Sequence, residues 1–319
     1  MRLAIVGTGQ IAKLFTEAAK QFEEIQLLGV YTRSVETART FANNNGLPLI
    51  FKTLEALASS NDIDAVYIAS PNTYHCSQSI MMMEHGKHVL CEKPIAVHSN
   101  ELKRMLEVSK NNGVILLEAF RHLYSPGTQM LRALLPEVGI IRRVSLVLNH
   151  YSSKYDKFKQ GDIYNVFSSE YAGGALMDIG IYCIQLMIAL FGEPRHIISD
   201  SILLHTGVDG QGAAIVRYDE FLVELSYSKI SQSETPSVIQ GENGSLLFQN
   251  LSVISDIHVK ARGGKTETIV CENESNQLLY EVRAFMDAIA TPSKADVYNQ
   301  YSIKAMKIID SITTQKLQR

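Results

Sequence analysis

Two groups of side chains in this sequence have the types and spacing to do chemistry. The first is Gly7-Thr8-Gly9-Gln10-Ile11-Ala12, a Gly-x-Gly-x-x-Ala run that follows the apolar segment Leu3–Val6 and opens an amphipathic stretch. In a strand–turn–helix setting the first glycine permits a tight turn and the second lets a pyrophosphate reach the backbone. The small third residue lets helix and strand pack closely. Free N–H groups and the positive end of the helix dipole then hold the phosphates. Gly7, Thr8, Gly9, Gln10 and Ile11 are therefore expected to cradle a dinucleotide. An ordinary strand–turn–helix could carry the same letters, but the position inside a βαβ unit favours the dinucleotide. About 20 residues further on, an Asp or Glu usually accepts the ribose hydroxyls of NAD. Here the sequence reads Val30-Tyr31-Thr32-Arg33-Ser34, with no acid. Arg33 offers a planar cationic fork to a 2′-phosphate, and Thr32 and Ser34 add short donors. NADP(H) is thus favoured over NAD(H); the plainer alternative has Arg33 stacking on adenine or lying on the surface.

The second group lies downstream. Cys91-Glu92-Lys93-Pro94 ends the fifth apolar run, and Ser70-Pro71-Asn72-Thr73-Tyr74-His75 ends the fourth. In a doubly wound sheet these carboxyl ends rim the ligand crevice. Ser70, Asn72, His75 and Glu92 are assigned to the cofactor, and Lys93 to the place where cofactor and substrate meet. A solvated surface lysine is the commoner fate of a lysine. Further on, Gly173 and Gly174 allow a close backbone approach before a very apolar helix, and Asp178 and Tyr182 are four apart on one face of it. Two polar groups on a buried helix need partners, although Asp178 could brace a neighbour while Tyr182 simply packs.

The elements that must position these residues follow from periodicity. Up to about residue 120, apolar runs (Leu3–Val6, Gln26–Tyr31, Leu49–Phe51, Ala65–Ala69, His88–Cys91, Val114–Leu117) alternate with helix-like stretches such as Gln10–Phe22. Ser34 can cap the second helix; Gly46, Gly86 and Gly113 close helices. Strands alternating with helices imply a parallel, doubly wound Rossmann sheet, an α/β fold. After about Tyr124 the pattern changes. A long strand, Ile140–Tyr151, leads into a polar loop, Ser152–Ala172, and an apolar helix, about Ala175–Phe191. Seven strand-like runs follow from Ile197 to Val270, then helices at about Asn276–Ala290 and Val297–Lys316. This half reads as an α+β domain with an open-faced, mostly antiparallel sheet. The expected domains are residues 1–122 for the dinucleotide and 123–319 for substrate and oligomerisation, with the C-terminal helix able to pack back on the first.

Composition narrows the function classes. A net charge of −3 gives no global field for nucleic acid or an anionic membrane. Ile181–Phe191 is too short to span a bilayer and contains Gln185. Met1-Arg2 leads straight into Leu-Ala-Ile-Val without a signal-peptide pattern. The four cysteines lack Cys-x-x-Cys spacing, so neither disulfides nor a metal is expected, and the cytoplasm is the expected compartment.

Taken in order, Gly7-x-Gly9-x-x-Ala12, Ser70-Pro71-Asn72-x-x-His75, Glu92-Lys93-Pro94, Glu118-Ala119-Phe120 and Gly173-Gly174-Ala175-Leu176-Met177-Asp178-Ile179-Gly180-Ile181-Tyr182 resemble the glucose–fructose oxidoreductase, inositol dehydrogenase and MocA-type oxidoreductases. The dihydrodiol dehydrogenase-like branch is nearest in motif. The resemblance implies a sugar, cyclitol or related small-molecule substrate and a homodimer or homotetramer built through the C-terminal sheet. It implies hydride transfer between nicotinamide C4 and a carbinol or carbonyl carbon. Lys93 would hold the substrate oxygen, Tyr182 would deliver or accept the proton, and Asp178 would orient substrate or Lys93. Many members have His where Tyr182 stands, which leaves open whether Lys93 or Tyr182 is the proton donor. Arg121 and His122 lie close before Leu123, where members often carry Arg, so that contact does not transfer. Lys154 and Tyr155 could reach substrate hydroxyls, or belong to a solvated loop. Two rival functions stay open. One is an NAD-assisted glycoside hydrolase, against which Arg33 argues; the other is a non-catalytic dinucleotide sensor, which would not need Lys93, Asp178 and Tyr182 together.

Overall fold

The structure is a computed structural model and describes residues 1–317. The chain runs β1 (Arg2–Val6), α1 (Gln10–Ala19), β2 (Gln26–Tyr31), α2 (Val35–Asn45), β3 (Leu49–Phe51), α3 (Leu54–Ala58), β4 (Ala65–Ile68), α4 (His75–Glu84), β5 (His88–Glu92), α5 (Ser99–Asn112) and β6 (Leu116–Ala119). It continues through α6 (Arg121–Tyr124), α7 (Pro126–Leu134), β7 (Ile141–Asn149), α8 (Tyr155–Lys159) and α9 (Ile181–Phe191). Strands β8 (His196–Leu203), β9 (Asp209–Arg217), β10 (Leu222–Ser228), β11 (Ser237–Gly241), β12 (Gly244–Phe248), β13 (Asp256–Ala261) and β14 (Thr266–Val270) precede α10 (Leu278–Ala290) and α11 (Pro292–Leu317). Two compact units result. The first comprises Met1–Arg121 with Glu274–Ile303, the second His122–Asn273 with the chain from Lys304 onward.

The first unit holds a six-stranded parallel sheet in the order β3-β2-β1-β4-β5-β6. Helices on both faces bury Leu3–Val6 of β1 and all of β4, which is why these segments read as unbroken apolar runs. The strand order reverses between β1 and β4, and there the crevice of a Rossmann sheet opens at the carboxyl ends. Ser34 caps α2, its Oγ accepting the Thr37 N–H at 3.2 Å, and Gly46 ends that helix in the left-handed region. Helix α1 stops at Ala19, short of the periodic pattern that reaches Phe22. Gln21 and Phe22 tighten onto the carbonyls of Ala18 and Ala19, an i→i−3 turn that breaks the helix. Strand β6 begins two residues later than its apolar run, because the Val114 N–H closes the preceding helix on Ser109.

The second unit holds an eight-stranded sheet, β14-β13-β12-β11-β7-β10-β9-β8. All pairs are antiparallel except β7 with β10. Alternation along β10 puts Val223, Leu225 and Tyr227 on the buried face, against which α9 packs. The opposite face carries exposed Ile198, Ile202, Ile215 and Leu222. The segment expected as one α-helix from Ala175 starts with a π turn over Leu176–Gly180. The 23-residue helical stretch Ser169–Phe191 is apolar enough by composition to cross a membrane, yet 83% of its most apolar window is buried inside the protein. The polar segment 152–172 is more ordered than a solvated loop. It contains α8, and Tyr155, Phe158 and Phe167 cluster there, with Phe158 also stacked on His205 at 4.6 Å. The four cysteines are free thiols.

Candidate active site

The glycine turn after β1 is shaped for close approach. Gly7 has φ +107°, and a Cβ there would lie 2.5 Å from the Ala69 carbonyl oxygen at the end of β4. Only glycine fits without strain. Gly7 N–H is itself held by the Tyr31 carbonyl at 2.8 Å. Gly9 leads α1 in extended geometry, and among the described residues no side chain caps that helix. Its leading N–H groups and dipole suit an anion. A bare turn, a close strand neighbour and an uncapped helix together fit the diphosphate of a dinucleotide.

The rim residues of β4 and β5 are tied together by His75. The ring is buried, with Nδ1 2.8 Å from the Pro94 carbonyl oxygen and Nε2 2.8 Å from that of Ser70. Burial pushes its pKa below the ordinary imidazole range, and the two carbonyls oppose that shift. His75 therefore braces the Ser70 loop against the Lys93-Pro94 turn, whose peptide bond is cis. Ser70 Oγ donates to Gln78 Oε1 at 2.7 Å, and Asn72 opens a 3₁₀ turn over Asn72–Tyr74. Arg33, beyond β2, lies with its guanidinium 5.7 Å from the Tyr74 ring centroid. Ser34 is engaged at the cap of α2, so its hydroxyl already has a backbone partner.

Beneath Lys93 lie three buried carboxyls. Glu92 accepts the Tyr67 hydroxyl and, at 3.2 Å, the Lys93 N–H. Glu118 accepts the Ile95 N–H at 3.0 Å and the Ser302 hydroxyl. Glu281, on α10, takes the Arg121 backbone N–H. Burial raises all three; Glu118 is pushed up from 4.5 to about 7, and Glu92 and Glu281 repel one another. The turn that carries Lys93 is thus gripped on both sides of Pro94 by carboxyl oxygens.

Asp178 and Tyr182 belong to the second unit, Lys93 to the first. Asp178 pairs with Lys229 at the end of β10, Oδ2 to Nζ at 2.6 Å. Tyr182 is 8% exposed, and its ring lies 5.1 Å from that of the enclosed His122. The Lys154 ammonium sits 5.3 Å from the Tyr164 ring centroid. Lys229 escaped the sequence reading. It follows a strand whose alternation is fully explained by packing, and nothing local links it to Asp178. Glu281 and Ser302 escaped for the same reason: their partners, Arg121 and Glu118, lie far back along the chain. Among the described residues, no group of three His, Cys, Asp or Glu side chains is set to hold a metal ion.

Comparison with known proteins agrees with this geometry. Residues 1–120 match the model of an oxidoreductase family with an NAD-binding Rossmann fold, and residues 136–247 match the GFO/IDH/MocA C-terminal domain. The chain is 38% identical over 317 residues to scyllo-inositol 2-dehydrogenase (NADP(+)) of Bacillus subtilis (strain 168), covering 99% of this chain and 97% of that protein. It is 31% identical over 218 residues to trans-1,2-dihydrobenzene-1,2-diol dehydrogenase of Xenopus tropicalis, covering 67% of this chain and 64% of that one. A 3-ketoreductase of Actinomadura kijaniata, solved with NADP and TDP-benzene, has the same fold, with a TM-score of 0.89 at 22% identity over 99% of this chain and 98% of that chain. With both halves matched and a relative aligned along nearly its whole length, the chain belongs to the GFO/IDH/MocA family of NAD(P)-binding oxidoreductases.

Proposed function

We propose that this enzyme interconverts a secondary alcohol and a ketone on a cyclitol, sugar or related polyol, using NADP(H), in the cytoplasm. The observation that carries the reading is the glycine turn, where a Cβ on Gly7 would strike the end of β4. When bound there, the nicotinamide cofactor supplies the two-electron chemistry at its C4. Lys93 holds and polarises the substrate oxygen, and the carboxyl-gripped turn fixes where its backbone lies. Tyr182 gives a proton to that oxygen in reduction and takes it in oxidation. Asp178, paired with Lys229, orients a substrate hydroxyl. The choice of NADP is supported by Arg33 at the end of β2, where no carboxylate stands, and by the name of the B. subtilis relative. The substrate class is supported by the same relative and by the dihydrodiol dehydrogenases. The exposed apolar face of the second sheet, with Ile198, Ile202, Ile215 and Leu222, serves as the surface of a homodimer or homotetramer.

The test is an absorbance assay for NADPH formation with scyllo-inositol and a panel of cyclitols, sugars and diols. Lys93→Met should leave NADPH affinity within about 2-fold while turnover falls on the order of 10³-fold. Tyr182→Phe should also retain the cofactor and lose most activity. Wild-type turnover in Lys93→Met would end the mechanism. Product formation without net change in NADPH would point instead to internal cofactor recycling.

A further inference from the structure

The helical segment that bears Asp178 and Tyr182 is anchored at its start by residues far away in sequence. Asp209, at the head of β9, is 4% exposed. Its Oδ2 accepts the Leu176 N–H at 2.8 Å, and its Oδ1 pairs with Lys316 Nζ at 2.8 Å. Gly174 has φ +113°, and a Cβ there would collide with Asp209 Oδ1, so glycine stands where the carboxylate lies against the backbone. The Gly174 carbonyl then receives the Asp178 N–H at 3.0 Å. Lys316 is itself held in place by its neighbour. Gln315 Oε1 accepts the Ser199 N–H and Oγ–H at 2.8 and 3.0 Å, and Gln315 Nε2 donates to the Ile197 carbonyl at 3.0 Å.

This anchor sits where the helical segment departs from α geometry. Residues Leu176–Gly180 form a π turn, whose wider ring is rare and depends on outside support. A carboxylate accepting the N–H of its first residue gives a charge-assisted bond and meets the positive end of the helix. Lys316 compensates that buried charge, and it occupies one carboxylate oxygen so that the other faces Leu176.

We propose that Asp209, held by Lys316, is the positioning residue that sets where Asp178 and Tyr182 project; this rests on the reading in which those two side chains handle the substrate. Asp209 acts through its contacts with Leu176 and Gly174. The last turn of α11 thereby becomes part of the active-site framework.

Full-length Lys316→Met, Lys316→Arg and Asp209→Asn proteins test this. The readouts are kcat and KM for the polyol, NADPH affinity by fluorescence, and amide hydrogen exchange. Lys316→Met and Asp209→Asn should lower kcat by about 10-fold or more, since small misplacements of reacting groups are costly, with NADPH affinity changed less than about 2-fold. Exchange protection of the 176–182 amides should fall while β1 and β4 keep theirs. Lys316→Arg should recover most of both. Wild-type kcat in both variants, a kcat loss without local exchange change, or a uniform loss of protection would each overturn the proposal. Should the wild type turn over no polyol, the oxidoreductase mechanism fails, and the exchange arm alone decides: unchanged protection in Lys316→Met refutes the anchor.

Discussion

Replacing Glu118 by Gln removes a buried proton-binding group from under the Lys93 turn. Glu118 is 2% exposed, and burial raises its pKa from 4.5 to about 7, with Glu92 pushing the same way. Ser302, the Ile95 N–H and Lys93 oppose the rise without cancelling it. The folded state therefore binds this proton more tightly than the unfolded chain. Stability from this group is complete below about pH 4.5 and is lost as the pH climbs through about 7. The rise from 4.5 to about 7, with each tenfold change in proton affinity equal to about 1.4 kcal/mol, corresponds to about 3 kcal/mol across that window. Gln keeps an oxygen for Ile95 and offers an N–H to Ser302, yet cannot ionise. Urea unfolding of both proteins between about pH 5 and pH 8 should show the Gln variant gaining on the wild type as pH rises, by up to about 3 kcal/mol. Glu92 and Glu281 contribute slopes of the same sign to both proteins, so the difference reports Glu118 together with its coupling to Glu92. Parallel stability curves would refute the buried-acid reasoning.

Gly7→Ala forces a side chain into φ +107° and against the Ala69 carbonyl. It should cost roughly 2 kcal/mol or more and weaken NADPH at least about 10-fold by fluorescence titration, and an unchanged affinity would move the phosphate site elsewhere. Arg33→Ala should weaken NADPH by about 10- to 100-fold and NADH by less than about 2-fold, because only the former offers Arg33 a 2′-phosphate. Equal weakening of the two would show that the guanidinium stacks on adenine. Lys229→Met removes the ammonium that lies 2.6 Å from Asp178 and should lower kcat about 10-fold in steady-state assays while the NADPH dissociation constant holds. An unaltered kcat would show that the pair has no part in turnover.

The parallel sheet was legible because its central strands β1 and β4 are buried apolar runs and α1 carries a one-sided stripe, so local composition and global fold say the same thing. Gly7 was legible for a different reason: its backbone conformation leaves almost no other residue type. The π turn was not legible. Leu176–Gly180 reads as ordinary helix, and Gly180 lies so close to the Tyr227 ring that a Cβ would sit 2.9 Å away, a constraint that comes from the sheet. Nor could the partners of Asp178 and Glu118 be read. Lys229 and Ser302 meet them only after the chain has folded back, and charge or hydroxyl content alone does not tell a partner from a solvated side chain. The small aromatic cluster in 152–172 was hidden by the polar residues between its rings.

Neither unit is made from one continuous run of chain, and this bears on how the protein is born. While residues 274–303 are still unsynthesised, Leu14 lacks Asn276, Leu116 lacks Asn299 and Glu118 lacks Ser302. While residues 315 and 316 are still in the ribosome, Ser199 and Asp209 are equally without their ligands. In the usual order in multidomain proteins an N-terminal portion matures before the remainder is translated; here the N-terminal unit completes its contacts only once residues 274–303 have been added. Each unit waits for its own part of the stretch from 274 to 316, so a nascent chain stalled before it leaves both units incomplete, each exposing surface that a chaperone would have to shield.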